Sequence, residues 1–586
     1  MIRDGSLRSS ASSLYRSEGQ PSIEQPNEKR SRGPLWPELI VGMSFALVVL
    51  FVVLFWRLGT PSFWDPDEAH YAQTTREMVA TRDWLAPYYN EEPFFDKPAL
   101  FHQLQGVAML AFGPTEFAAR IVPALAALVL IGFTAWFGAT LASCDTGATA
   151  ALLLAVSPGV FALARYAILD TVFTAFLFGA AALLAVAALK DRSRLQWPGY
   201  MCLAGAVLIK GPLALALCGL TLLLACAVST DLRRRFLGLR WLLGLALVIA
   251  IAAPWFVYMY LRFRHDFVNG YLLDENIRLF AAPRFANQPG AWFYFQILAA
   301  GLLPWTGLLI GRFVDDMVAV IRGERLDALE TLLWAWTAAV VGFFTASAFK
   351  LDHYVFPAAP ALCLLCARAW GDLRADPHGP RHAATRVGAQ LVGPLLVVIG
   401  VGCGYFLIVR LELPRMAMGV PIVVTACGAA LTAFANIRRR ENGYPPRLPW
   451  FGLVAMTVTY AGVIYFVMPA LEHRKVVPDL ARWVSTNAGD RTRFATYRLN
   501  RWKPAFRFYV NRHTEFLETP GEAEMFFDSP EPFYCVMLRP AFEEFAARGV
   551  PLTVLYERDG MWATSGRALW RRRATPSRFV VTTRAR

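Results

Sequence analysis

Apolar runs close to the roughly 20 residues that a helix needs to cross a bilayer recur along the whole chain. They include Leu39 to Trp56, Ile121 to Leu141, Trp241 to Tyr260, Leu332 to Phe349 and Leu391 to Val409. With 56% hydrophobic and only 17% charged residues among 586, the composition excludes an ordinary soluble chain. A backbone inside lipid must satisfy its own hydrogen bonds, and runs of this length do so as helices rather than barrel strands. The first run lacks a small-residue cleavage site and follows a polar stretch, so it reads as a retained span and not a signal peptide.

The net charge of +14 would suit a nucleic-acid binder, but its distribution argues otherwise. Basic residues cluster between spans, at Lys190/Arg192/Arg194, Arg233/Arg234/Arg235, Arg322/Arg325, Arg381/Arg386 and Arg438/Arg439/Arg440. Counted from a basic N-terminus on the cytoplasmic side, all of these fall on that side and read as positive-inside anchors. The expected fold is a polytopic α-helical membrane protein of about thirteen spans, with no role for nucleic acid. An odd count puts the C-terminal segment outside, together with the loop from Asp65 to Lys97.

Three regions follow from composition. Residues 1–34 read as a disordered cytoplasmic tail, and residues 35–470 as the membrane domain. Within the latter, residues 57–118 form an outer loop with two expected surface helices, Glu68 to Thr81 and Pro98 to Phe112. Residues 471–586 read as a small periplasmic α/β domain, with a helix over Val477 to Thr486 and strands over Arg493 to Leu499, Ala505 to Val510, Phe533 to Leu538, Leu552 to Tyr556 and Ala568 to Arg572. Eight of the nine cysteines lie in or at the ends of apolar spans, where cysteine acts as a small hydrophobe, and Cys535 alone falls in the expected outer domain.

Charge beside hydrocarbon is costly unless it binds ions, charged substrates or other charges. The outer loop carries Asp65, Asp67 and Glu68, then Asp96 and Lys97. The same topology brings Asp170, Lys210 and Lys350 to that face from three other segments, with Tyr354 following Lys350. Each residue has a plainer alternative. Asp67 and Glu68 could favour the positive end of a helix, Lys97 could pair with Asp96 or Glu92, Lys210 could anchor a helix end, and Tyr71 and Tyr354 could be interfacial aromatics.

The ordered series Asp67-Glu68-Ala69-His70-Tyr71, Arg76-Glu77-Met78, Phe95-Asp96-Lys97-Pro98, Tyr166-Ala167-Ile168-Leu169-Asp170, Ile209-Lys210-Gly211 and Lys350-Leu351 with Tyr354 and Pro357 resembles the aminoarabinose transferase family. These are lipid A-modifying GT-C membrane glycosyltransferases related to the protein O-mannosyltransferases. The resemblance covers roughly residues 35–370. It implies transfer of a sugar from an undecaprenyl-phosphate-linked donor to lipid A, or to a related periplasmic acceptor, at the outer face. Asp67 and Asp170 would then be catalytic, and Lys97, Lys210, Lys350, Tyr354 and Arg278 would bind the donor's lipid phosphate. Glu68, Tyr71 and Asp96 would support them.

The chain also departs from the family pattern. Glu275-Asn276-Ile277-Arg278-Leu279-Phe280 places the arginine one position early, which on a regular helix rotates it by about 100°. Either that segment is irregular, or Arg278 or Arg284 reaches the phosphate another way. Asp96 stands for the family's glutamate, and Asp352-His353 for its Pro-Thr. Donor sugar and acceptor therefore stay open, a protein hydroxyl or surface polysaccharide being the alternative acceptor. Outside the enzyme class, a secondary transporter or flippase would also combine spans with charges, although it would favour mid-membrane carboxylates and paired halves. No cofactor is expected to be required. Without dense His or Cys spacing, only a weak metal site near Asp96 is conceivable.

Overall fold

The computed structural model describes residues 44–282, 288–439, 448–499, 504–562 and 577–585. Chain contacts separate residues 1–47 from a second unit, Val48–Arg586, which holds everything discussed below. Among the described residues, eight helices are long and apolar enough to cross a membrane. A ninth candidate is the pair Cys144–Ala155 and Pro158–Ala164, bent by 61°. Pro158 opens the second half of that pair, where its fixed backbone angle and missing N–H do least harm.

The spans divide into inner and outer members of a bundle. Asp170–Leu189 and Asp352–Ala375 are mostly covered by protein, whereas Trp241–Ala281 and Pro380–Arg410 turn most of their surface outward. Leu242, Ile249, Val398 and Val401 are among the outward apolar side chains. Such a large apolar exterior is what a lipid-facing surface requires. Inside, glycine permits close approach: a Cβ on Gly147 would lie 2.3 Å from the Ala135 carbonyl oxygen on the helix Glu116–Leu141.

The chain between the first apolar helix and Glu116 forms two helices, Asp67–Thr81 and Leu100–Phe112. The first is fastened by a buried ion pair. Arg120, on the helix Glu116–Leu141, donates from Nε to Glu68 Oε1 at 2.7 Å and from its second terminal nitrogen to Glu68 Oε2 at 2.8 Å. Its remaining donors reach the carbonyls of Leu58, Pro61 and Ser62. Glu68 in turn accepts from the backbone N–H groups of Trp64 and Ala167.

Residues 477–584 contain a five-stranded sheet in the order Glu515–Leu517, Arg493–Tyr497, Phe533–Leu538, Ser577–Arg584, Leu552–Gly560. The first three strands run parallel, and the last two pair antiparallel. The central strand Phe533–Leu538 is largely buried, while the edge strand Leu552–Gly560 alternates inward and exposed residues, as one-sided strands do. The expected strand Ala505 to Val510 is instead a helix, entered through Pro504 and closed by Asn511 in the left-handed region. Its aromatic residues pack between elements rather than on a sheet: Phe506 meets Trp562, and Phe508 meets Phe63 edge-on. Strands Glu515–Leu517 and Ser577–Arg584 were not expected from the sequence, and the segment Ala568 to Arg572 lies outside the described residues.

Removing one partner of a fully buried ion pair leaves an uncompensated charge and costs about 3–5 kcal/mol. Glu68→Ala should therefore lower the thermal unfolding midpoint in detergent sharply. Because the two residues share one network, Glu68→Gln with Arg120→Met should cost less than the sum of the single changes.

Candidate active site

Helix ends bring the charges together. Asp170 is the first residue of the helix Asp170–Leu189, and Lys210 is the last of the neighbouring helix Gln196–Lys210. Acid at an N-terminus and base at a C-terminus both complement the helix dipole, so the two charges meet at the same end of the pair and form a buried hydrogen-bonded ion pair. Gly211, at φ 76°, ends the second helix, and a Cβ there would fall 1.9 Å from the Tyr271 hydroxyl. Lys210 Nζ also lies 4.6 Å above the Tyr354 ring.

Around this pair is a chamber of about 390 Å³ lined by Asp67, His70 and Tyr71 from the helix Asp67–Thr81, by Asp96 and Lys97 from the loop after it, by Glu275, and by residues 349–354. Lys97 Nζ donates to Glu275 Oε2 at 3.1 Å and to the Asp96 carbonyl at 2.8 Å. Lys350 Nζ donates to the Ser347 carbonyl, and its backbone N–H to Gln288 Oε1 at 3.0 Å. His353 sits with Nδ1 3.2 Å from Asp352 Oδ1 and Nε2 3.6 Å from Asp170 Oδ2. Asp67 makes neither a hydrogen bond nor an ion pair with its side chain to any described residue.

Burial shifts the protonation of two of the chamber-facing groups on this helix, Asp67 and His70. It raises the Asp67 pKa above the ordinary carboxylate value, and the nearby carboxylates of Asp352, Asp170 and Glu68 add to this, against an opposing contribution from His353. Burial also pushes His70 down to about 4, so its imidazole is neutral near pH 7.

Beside the chamber lies an apolar cleft of about 280 Å³, lined by Leu213, Ala216, Ile277, Phe280, Phe343 and Phe344. Lys97, Lys210, Glu275 and Tyr354 border both spaces. A polar head with three lysines joined to an apolar slot suits an amphiphile with a phosphate group and a hydrocarbon tail.

Asp67, Tyr71, Asp96, Lys97, Asp170, Lys210, Lys350 and Tyr354 thus converge on one space. Glu68 does not face it, being held by Arg120. Arg278 is not brought there either: its side chain is 68% exposed and pairs with Asp274 at 2.5 Å. The reason is local. The helix Trp241–Phe267 breaks at Arg264 (φ 50°) and continues as a π-helical segment, Val268–Arg278, so regular α-helical spacing does not hold there. Arg284 lies outside the described residues. Glu275, His353 and Gln288 enter the chamber without being singled out in sequence as site residues. Glu275 meets a lysine 178 residues away, so no local spacing signals it.

A model of the dolichyl-phosphate-mannose-protein mannosyltransferase family matches residues 44–268. Undecaprenyl phosphate-alpha-4-amino-4-deoxy-L-arabinose arabinosyl transferase 1 of Sodalis glossinidius is 29% identical over 419 residues, covering 69% of this chain and 72% of the relative. The transferase of that name from Aeromonas salmonicida is 31% identical over 356 residues, covering 59% and 62%. The crystal structure of ArnT from Cupriavidus metallidurans bound to undecaprenyl phosphate superposes with a TM-score of 0.71 at 20% identity, covering 94% of this chain and 98% of that one. The archaeal oligosaccharyltransferase AglB from Archaeoglobus fulgidus gives 0.50 at 10% identity, covering 86% and 70%. Multi-pass helical architecture, motifs and relatives together define a GT-C membrane glycosyltransferase. Within that class the chain is similar to the undecaprenyl phosphate-aminoarabinose arabinosyl transferases.

Because Asp67 binds its proton more tightly when folded than when unfolded, ionising it costs stability. That cost is absent below the unfolded carboxylate pKa, grows as pH rises, and is complete above the raised folded value. Asp67→Asn should therefore raise the melting temperature at neutral pH, and the gain should disappear as pH falls below about 4. Melting curves of both proteins across pH check this.

Proposed function

We propose that this protein transfers an aminoarabinose-type sugar from undecaprenyl phosphate to lipid A at the periplasmic face of the bacterial inner membrane. The observation that carries this reading is the Asp67 carboxylate, without a hydrogen-bond or ion-pair partner among the described residues, in a lysine-bearing chamber that shares a wall with an apolar cleft. The relatives' names supply the donor class. Charge supports an amino sugar: the chamber carries the carboxylates of Asp67, Asp96, Asp170, Glu275 and Asp352 against Lys97, Lys210 and Lys350. A lipid phosphate deepens that excess, and an ammonium group on the sugar offsets it.

In this reading an acceptor oxygen bonds to the anomeric carbon while the bond to the lipid phosphate breaks and its electron pair leaves with undecaprenyl phosphate. Lys97, Lys210 and Lys350 stabilise the departing charge, with Tyr354 beneath Lys210. A phosphate of lipid A is already ionised and needs no base, so Asp67, backed by Asp170, stabilises the oxocarbenium-like sugar. Arg278 takes no part in this arrangement. No metal is required, and Asp96 supports the chamber wall beside Lys97. The rival acceptor, a hydroxyl on protein or polysaccharide, would need a base, and Asp67, which has no hydrogen-bond partner among the described residues, would then take that role.

The topology proposed with this function has about thirteen spans. To the nine candidates it adds Ser44–Phe55, Gln196–Lys210, Leu213–Val228 and the stretch from Phe293 to Ile321. The N-terminal tail, residues 1–34, is then cytoplasmic. The membrane domain spans 35–470, and residues 471–586 form a periplasmic domain over the acceptor side.

Asp67→Asn should cut transfer by about 10²-fold or more with normal protein levels, read by mass spectrometry of lipid A and surface glycans from cells. A sugar-sized mass missing from lipid A supports the proposed acceptor, and its loss from protein or polysaccharide instead moves the assignment to the rival. Since Asp67 acts ionised, the acidic limb of kcat should lie above the ordinary carboxylate range. Lys97→Met should raise the donor KM, measurable with purified protein.

A further inference from the structure

Asp65 lies two residues before Asp67 and is fully buried. Its Oδ1 accepts the backbone N–H of Ala505 at 2.9 Å, and its Oδ2 accepts the indole N–H of Trp562 at 2.6 Å. Both donors come from the C-terminal region, more than 400 residues away in sequence. The same region grips the body of the helix Asp67–Thr81: Arg507 donates to Glu77 Oε1 at 3.0 Å, and Arg76 donates to the Phe508 carbonyl at 2.5 Å. The chain leading into that helix is held as well, with the Phe63 N–H donating to the Tyr509 hydroxyl at 2.8 Å.

A buried carboxylate used only as packing would be a poor choice, because an apolar side chain of similar volume avoids its desolvation. Two directed N–H donors on its two oxygens instead fix its position and orientation. Asp65 is joined through Pro66 alone to Asp67, so that fix extends to the chamber carboxylate. Catalytic groups must be held within about 0.5 Å of their productive place, and small displacements can cost about 10²-fold in rate.

We propose that Asp65 and Trp562 are positioning residues for sugar transfer: through them the C-terminal region sets where the Asp67 carboxylate stands in the chamber. This rests on the reading that Asp67 acts in the transfer. Neither residue lines the chamber, so each acts on turnover through Asp67 and leaves the lysine-bearing donor site in place.

The experiment uses full-length protein in detergent, with Trp562→Phe, Asp65→Asn, the two combined, and Arg498→Gln as a control that breaks an exposed pair with Glu544 in the same region. With undecaprenyl-phosphate-linked aminoarabinose as donor and lipid A as acceptor, the clamp variants should lose about 10- to 100-fold in kcat while the donor KM stays within about threefold. The double variant should be no worse than the more damaged single one, as expected for groups acting as a unit. The control should match wild type. A second readout needs no substrate: the stabilisation that Asp67→Asn gives at neutral pH should shrink in the Trp562→Phe background, because a released helix start lets Asp67 into water. Wild-type kcat in folded clamp variants, or an undiminished Asp67→Asn effect in the Trp562→Phe background, overturns the proposal. If wild type transfers nothing from this donor, the proposed function fails, and the melting comparison alone decides the clamp.

Discussion

One guanidinium organises the approach to the chamber. Arg120 is buried in the helix Glu116–Leu141, where a single charge beside hydrocarbon is expensive. Its planar fork matches a carboxylate on two donors and leaves others for carbonyls, which a lysine could not do with the same directionality. Because Glu68 also takes the N–H of Ala167, the pair locks together the helix that presents Asp67, the span behind it and the turn that leads into Asp170. Two carboxylates from segments a hundred residues apart share one chamber because a third, which never reaches that chamber, is neutralised between them.

The chamber itself shows a conflict between folding and function. Its carboxylates outnumber its lysines, and Asp67 has no hydrogen-bond or ion-pair partner among the described residues. Native proteins accept such local costs where a charge must be ready for something that arrives later. The other charges in the chamber are partnered, Lys97 with Glu275 and Lys210 with Asp170, which sets Asp67 apart from them.

How much of this was legible in the sequence varies with the physics involved. The helices Asp67–Thr81 and Leu100–Phe112 announce themselves through local composition and proline punctuation, and helix-end charges such as Asp170 and Lys210 mark themselves by standing at the edges of apolar runs. Hydrophobic length identified the spanning helices, but lengths near the limit, such as Leu213–Val228, leave their number open. Ala505–Val510 misled because aromatic and branched residues suit a strand, whereas tertiary packing between the outer helices and Trp562 made it a helix. At Arg278 the irregular alternative holds, since the chain there winds as a π-helix and the arginine stays outside the chamber. Contacts such as Lys97 with Glu275, or Asp65 with Trp562, join distant segments through single side chains and leave no periodic trace.

The Lys97–Glu275 pair has a thermodynamic consequence for the catalytic cycle. In the resting protein the ammonium already has a carboxylate partner at 3.1 Å, so on the proposed reading, in which Lys97 binds the donor, an incoming phosphate does not gain a bare cation. It exchanges with Glu275, and the net gain is the difference between two ion pairs rather than the full strength of one. The same carboxylate stands ready when the sugar has moved on, competing with the spent lipid phosphate for the lysine. An internal counter-ion of this kind moderates how tightly either end of the reaction is held and favours turnover over retention.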